Sequence, residues 1–192
     1  MYIFCNQALA SYRWLPLSSN VRLTDEGLLE IAMPRPKRTV EQLRAASEHL
    51  HHEVSMFDAT GRALGSGLFG PGAATNAVLE SFTVHTRALL QFLFPNDPKP
   101  DDVLAEDYFE NPSIWRDLRG DLPEPLGVVN RRVGKEIAHL TYARLEVTPE
   151  TKGWNIPVIW AAVLRLVQAF AKNVPQDRLG PSWQAPNSRS EA

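Results

Sequence analysis

Arg132 and His139 stand seven residues apart in the segment Asn130-Arg-Arg-Val-Gly-Lys-Glu-Ile-Ala-His139. At about 100° per residue, this spacing puts both side chains within roughly 20° of each other on one helical face. An arginine holds an anion and a histidine moves a proton near neutral pH, so the pair is a minimal set for cutting a phosphodiester. Glu136 projects about 60° from His139, and Asn130 and Arg131 adjoin the pair as supporting groups. The apolar stripe of the segment, Val133, Ile137 and Leu140, is centred more than about 100° away, which predicts that the pair lies off the core. The same spacing also fits a solvated face on which Arg132 and Glu136 pair at i,i+4.

Other chemistry-bearing residues form weaker sets. Glu48-His-Leu-His-His-Glu53 gathers three histidines, the residue type that holds zinc. On a helix His49 and His51 diverge by about 200° and His52 points away from the core, so the three cannot meet on one ion. A bundle metal site would need His85 and His139 beside a first-helix histidine. The spacings supply no metal set and no cofactor motif. The acidic run 101–107 lacks the Asp-x-Asp-x-Asp-Gly pattern of a calcium loop, and Asp101 or Asp102 reads as the cap of a short helix. Gly65–Gly72 lacks the Lys-Ser/Thr of a phosphate loop, and no Gly-x-Ser-x-Gly marks a nucleophile.

Four periodic segments must position these residues. Leu43, Ser47, Leu50, Val54, Phe57 and Leu64 recur at three- and four-residue steps from Thr39 onward, the mark of an amphipathic helix. A second helix is predicted from Ala73 to Phe94, carrying Val78, Phe82, Leu89 and Leu93 and stopped by Pro95. A third is predicted over 125–147, with Val129, Val133, Ile137, Leu140 and Arg144 on one side. A fourth, Ile156 to Asn173, has Pro157 in its tolerant first turn and is apolar around much of its circumference. Such breadth predicts a central position or a homodimer seam. Between the second and third lies a long connection whose Tyr108, Phe109 and Trp115 are expected to pack back on the helices. The expected architecture is all-α: a four-helix bundle over residues 38–174 with a long ordered connection between helices 2 and 3. Residues 1–37 read as an irregular N-terminal extension, with Met33 as an alternative start. Residues 175–192, rich in Pro, Ser and Asn, read as a disordered tail.

The composition narrows the function classes. The chain has 192 residues, 44% of them hydrophobic, enough for one full core. A formal charge of −2 argues against a general polyanion binder and confines any nucleic-acid contact to a local patch. Cys5 is the only cysteine, which excludes an internal disulfide and fits a reducing cytoplasm. No run of about 18 apolar residues predicts a membrane span.

The segment Asn130 to Arg144, with Arg132 and His139 separated by six residues, resembles the motif helix of the HEPN superfamily, all-α domains of four or five helices. The resemblance implies a metal-independent endoribonuclease of the bacterial toxin or defence type, or a module that only binds RNA or nucleotide. It implies a homodimer with paired Arg/His motifs and an operon-encoded partner such as an antitoxin. His139 would then act as general base and Arg132 would stabilise the charged transition state. Residues 39–174 also look like a bacterial helical domain family of uncharacterised function, carried by Asn76-Ala-Val-Leu-Glu-Ser-Phe, Asp102-Val-Leu-Ala-Glu-Asp-Tyr-Phe and Lys152-Gly-Trp. A non-catalytic helical interaction or dimerisation module is the second reading of the same residues, and a histidine metalloprotein the third.

Overall fold

The computed structural model describes residues 21–23, 29–31, 35–148 and 150–184. The chain forms two compact units, Met1–Pro36 and Lys37–Ala192. In the first, β1 (Val21–Leu23) and β2 (Leu29–Ile31) pair antiparallel, with Val21 opposite Ile31 and Leu23 opposite Leu29. The extension expected to be irregular therefore contains a hairpin, which alternates too briefly to give a periodic signal. Met33 lies outside the described residues.

All regular structure among the described residues of the second unit is helical. Its α-helices are α1 (Val40–Ser66), α2 (Ala73–Leu93), α3 (Pro112–Arg119), α4 (Glu124–Arg132) and α5 (Ile156–Asn173). Helix α1 starts where Thr39 and Gln42 cap each other's backbone amides, and it ends at Gly67, whose φ of 66° a Cβ would oppose. Asn111 and Asn155 cap α3 and α5 with their side-chain oxygens. Helix α1 packs on α2 and α5, and α4 bridges α2 and α5.

The core is built around Phe170 of α5. Phe92, Tyr108, Trp115 and Phe109 surround it with ring centroids 5.0, 5.3, 5.7 and 6.2 Å away, all close to edge-on, the arrangement that aromatic quadrupoles favour. The connection from 95 to 123 supplies three of those rings, as its composition predicts. Their polar ends are satisfied, the Tyr108 hydroxyl donating to Leu43 O at 2.9 Å and Trp115 Nε1 to Leu93 O at 3.0 Å. Asp101 and Asp102 do not cap the short helical turn in this connection. That turn, Ala105–Tyr108, is capped by Asp107, which accepts from Leu104 N at 3.0 Å, while Asp102 accepts from Lys99 N.

Two further expectations are overturned. The helix predicted over 125–147 is α4 only as far as Arg132; a π-helical turn follows over Val133–Ala138. His139 then leaves in extended backbone at φ −125°, ψ 143°. Side chains instead of a further turn satisfy the carbonyls at that end: Thr141 Oγ1 donates to Lys135 O at 2.7 Å and Arg144 Nη2 to Ile137 O at 3.1 Å. The tail read as disordered is also ordered from 175 to 184. There Leu179 and Gly180 are buried and the segment straps across α1. Its proline and serine content suggests disorder, but the donors on Gly180, Ser182 and Trp183 all find acceptors on Ser47 and Glu48.

Candidate functional site

The Arg132 guanidinium is held on four sides. It pairs with the Glu136 carboxylate through Nε and Nη2 at 2.7 and 2.8 Å, and it donates to Gly153 O at 2.9 Å and Lys152 O at 3.3 Å. Its carbon centre sits 4.0 Å from the ring centroid of Trp154, a cation–π stack. Both members of the ion pair are 20% exposed. Four of the five N–H donors of an arginine are committed by these contacts. Arg132 therefore clips the 152–154 loop onto the π-helical turn.

His139 is exposed and stands in extended backbone just past the π-helical turn, so the continuous helix from which its stacking with Arg132 is predicted does not form. A π turn closes its hydrogen bonds at i→i+5, which alters the angular step on which that prediction rests. Of the supporting residues, Asn130 is half-buried, Arg131 is exposed, and Glu136 serves as the carboxylate of the Arg132 clip. The i,i+4 pairing of Arg132 with Glu136 matches the solvated-face expectation in its partners, although both groups are mostly covered.

The largest surprise follows directly after His139. Leu140, Tyr142 and Leu145 are 90, 91 and 83% exposed. Sequence periodicity assigned Leu140 to the core stripe, and the end of helical structure at Ala138 is what turns it outward. Exposed apolar surface gathered in one place marks interaction sites, and three large side chains exposed to this degree fall within six residues here. A signal is present in the sequence: Gly134 weakens the helix, and Thr141 favours the extended backbone it adopts before the 3-10 turn Tyr142–Glu146.

The histidines divide by element. His85 Nδ1 lies 2.7 Å from Glu53 Oε2 across the α1/α2 seam, with His52 edge-on at 6.2 Å. His51 packs edge-on against Trp183 at 5.7 Å, and His49 is exposed. Among the described residues no group of three or more metal-ligating side chains converges. A concavity of about 230 Å³ is lined by Arg38, Gln42, Leu43 and Ala46 with Asp101, Val103 and Asp107, none of them at the π turn.

Glu48 and Tyr108 are among the titratable groups tuned by structural contacts. Hydrogen bonds from the Ser182 hydroxyl and amide hold the Glu48 carboxyl below its usual range, with His51 and Arg44 adding to the effect. Burial raises the Tyr108 hydroxyl above its ordinary value, with Asp107 nearby contributing. Neither adjoins Arg132.

Fold and surface together describe a helical domain with a structurally engaged arginine and an exposed apolar segment. No family model, curated protein or solved structure matches the chain. No helix among the described residues is long and apolar enough to cross a membrane.

Proposed function

We propose that the chain is a non-catalytic helical interaction module that docks a partner through residues 139–147. The observation that carries this reading is the engagement of Arg132. A phosphodiester in transit to the transition state would have to displace Glu136, two carbonyl acceptors and the Trp154 stack before meeting a guanidinium. Oxyanion stabilisation depends on donors already aimed at empty space where charge develops, and here the donors are aimed at protein. The exposed Leu140, Tyr142 and Leu145 supply what a docking surface needs instead: large side chains whose burial against a partner removes apolar area from water.

In this reading α1, α2, α4 and α5 are the four members of a bundle. The long connection between α2 and α4 carries α3, and the π turn presents the docking segment at the bundle's edge. The lone cysteine fits action in the reducing cytoplasm. The HEPN resemblance implies the opposite chemistry, and one experiment separates the two. Wild type, Arg132→Ala and His139→Ala are incubated with single-stranded RNA in EDTA. We expect no cleavage above buffer from any of them; cleavage by wild type that both variants lose would refute the non-catalytic reading. The docking half is tested with an apolar dye: Leu140→Ser/Leu145→Ser should lower its binding without moving Tm.

A further inference from the structure

We infer that the partner at this surface is an acidic amphipathic protein segment, an inference that rests on the docking reading above. The turn that precedes the apolar anchors carries exposed cations without a side-chain partner among the described residues. Thr141 and Arg144 tie the 141–144 backbone to the carbonyls of Lys135 and Ile137, which folds Leu140 and Tyr142 back beside the π turn. Arg131 is exposed at the end of α4 and Lys135 on the π turn, four residues apart. Arg87 of α2 reaches the same turn, its Nη1 lying 3.9 Å from the point where a Cβ on Gly134 would stand.

Arg87, Arg131 and Lys135 have no side-chain hydrogen-bond or ion-pair partner among the described residues. In contrast, Arg38, Arg44, Arg62, Arg116, Arg132 and Arg178 each have one. Lys152 and Arg144 add exposed positive charge nearby, against the carboxylates of Glu146 and Glu150. Five cations, Arg87, Arg131, Lys135, Arg144 and Lys152, against two carboxylates leave a positive excess here on a chain whose net charge is −2. Electrostatic complementarity selects a negative partner for such a surface and speeds its arrival.

The anchors decide which kind of anion. Single-stranded RNA binds by stacking its bases on aromatic faces, and only Tyr142 offers one; Leu140 and Leu145 have none. An amphipathic helix offers apolar side chains at i, i+3 and i+7 to such anchors and carboxylates on its flanks to cations such as Arg131, Lys135 and Arg87.

The test is fluorescence anisotropy with the full chain. The probe is a labelled helical peptide of about 16 residues, with Leu at i, i+3 and i+7 and Glu on both flanks. Its comparators are the same peptide with Lys for Glu and a short single-stranded RNA. We expect the Glu peptide to bind at least about tenfold more tightly than the Lys peptide, and Arg131→Glu/Lys135→Glu to lose about tenfold or more. Added salt should weaken binding. Binding of RNA in preference to the Glu peptide, or equal binding of both peptides, overturns the acidic partner. If Leu140→Ser/Leu145→Ser then abolishes binding of both peptides, the docking reading survives that loss. No binding of any probe also overturns the acidic partner, and the dye measurement still decides the docking reading.

Discussion

Replacing Arg132 by alanine should destabilise the domain by about 3 kcal/mol, whereas the same change at its neighbour Arg131 should cost almost nothing. The size follows from what is lost. Donation to Gly153 O and Lys152 O involves two hydrogen bonds, each worth about 0.5–1.5 kcal/mol net. The Glu136 pair is bidentate, but both side chains keep 20% exposure, so a value close to that of surface pairs applies, about 0.5–1 kcal/mol. The stack on Trp154 at 4.0 Å adds about 0.5–1 kcal/mol. These contacts share one geometry and do not add fully, which places the total near the middle of the summed range. For a chain of this size, about 3 kcal/mol lowers Tm by roughly 6–12 °C. Arg131 is exposed and without a partner among the described residues, so its loss should stay within about 0.5 kcal/mol. Urea unfolding followed by far-UV circular dichroism measures both variants. Equal midpoints for the two would refute the assignment of Arg132 as a structural clip and return its guanidinium to the pool of available functional groups.

Two other perturbations probe the frame that positions the site. A Cβ at Gly61 would stand 2.7 Å from Trp160 Cδ1 and 3.2 Å from Phe82 Cε2, so Gly61→Val should force α1 and α5 apart and cost about 1–3 kcal/mol in urea unfolding. Stability unchanged in that variant would contradict the close crossing of the two helices. The Glu48 carboxyl is depressed in the folded state by Ser182, so its contribution to stability is fully present above the unfolded carboxyl value. It is lost as pH falls through the lower folded value. The strap over 176–184 should accordingly gain hydrogen-exchange rate below about pH 4, and Glu48→Gln should flatten that dependence. A strap that exchanges identically in both proteins across this range would show that the Ser182 contacts do not hold it.

Three of the four periodic helices, α1, α2 and α5, are legible in the sequence. The stripe from Leu43 through Leu64 and the stripe from Val78 through Leu93 match α1 and α2 because each alternation of three and four residues reports one apolar face, a local property of the chain. Pro157 likewise announces the start of α5. The aromatic residues of the connection were rightly read as anchors, since Tyr108 and Trp115 are too large to leave in water. Two regions misled. Proline and serine in 175–184 suggest a tail, but composition does not register specific acceptors on a distant helix. The stripe Val133, Ile137, Leu140 continues the helical period past the point where the helix ends.

That last region separates what the sequence determined from what only the tertiary structure decided. Residue types and spacing brought Arg132, Glu136 and His139 to attention and established that Arg132 and Glu136 could pair within one helix, because i,i+4 contacts depend only on local geometry. They could not determine whether Arg132 stays available. That depends on Lys152, Gly153 and Trp154, about 20 residues further along, which reach the guanidinium only once the chain has turned back. Nor could they place His139, whose position depends on a π turn ending where Thr141 and Arg144 take up the last carbonyls. The candidate pair was a local inference. The engagement of Arg132, and the exposure of Leu140, Tyr142 and Leu145 past the π turn, come from contacts that no local period encodes.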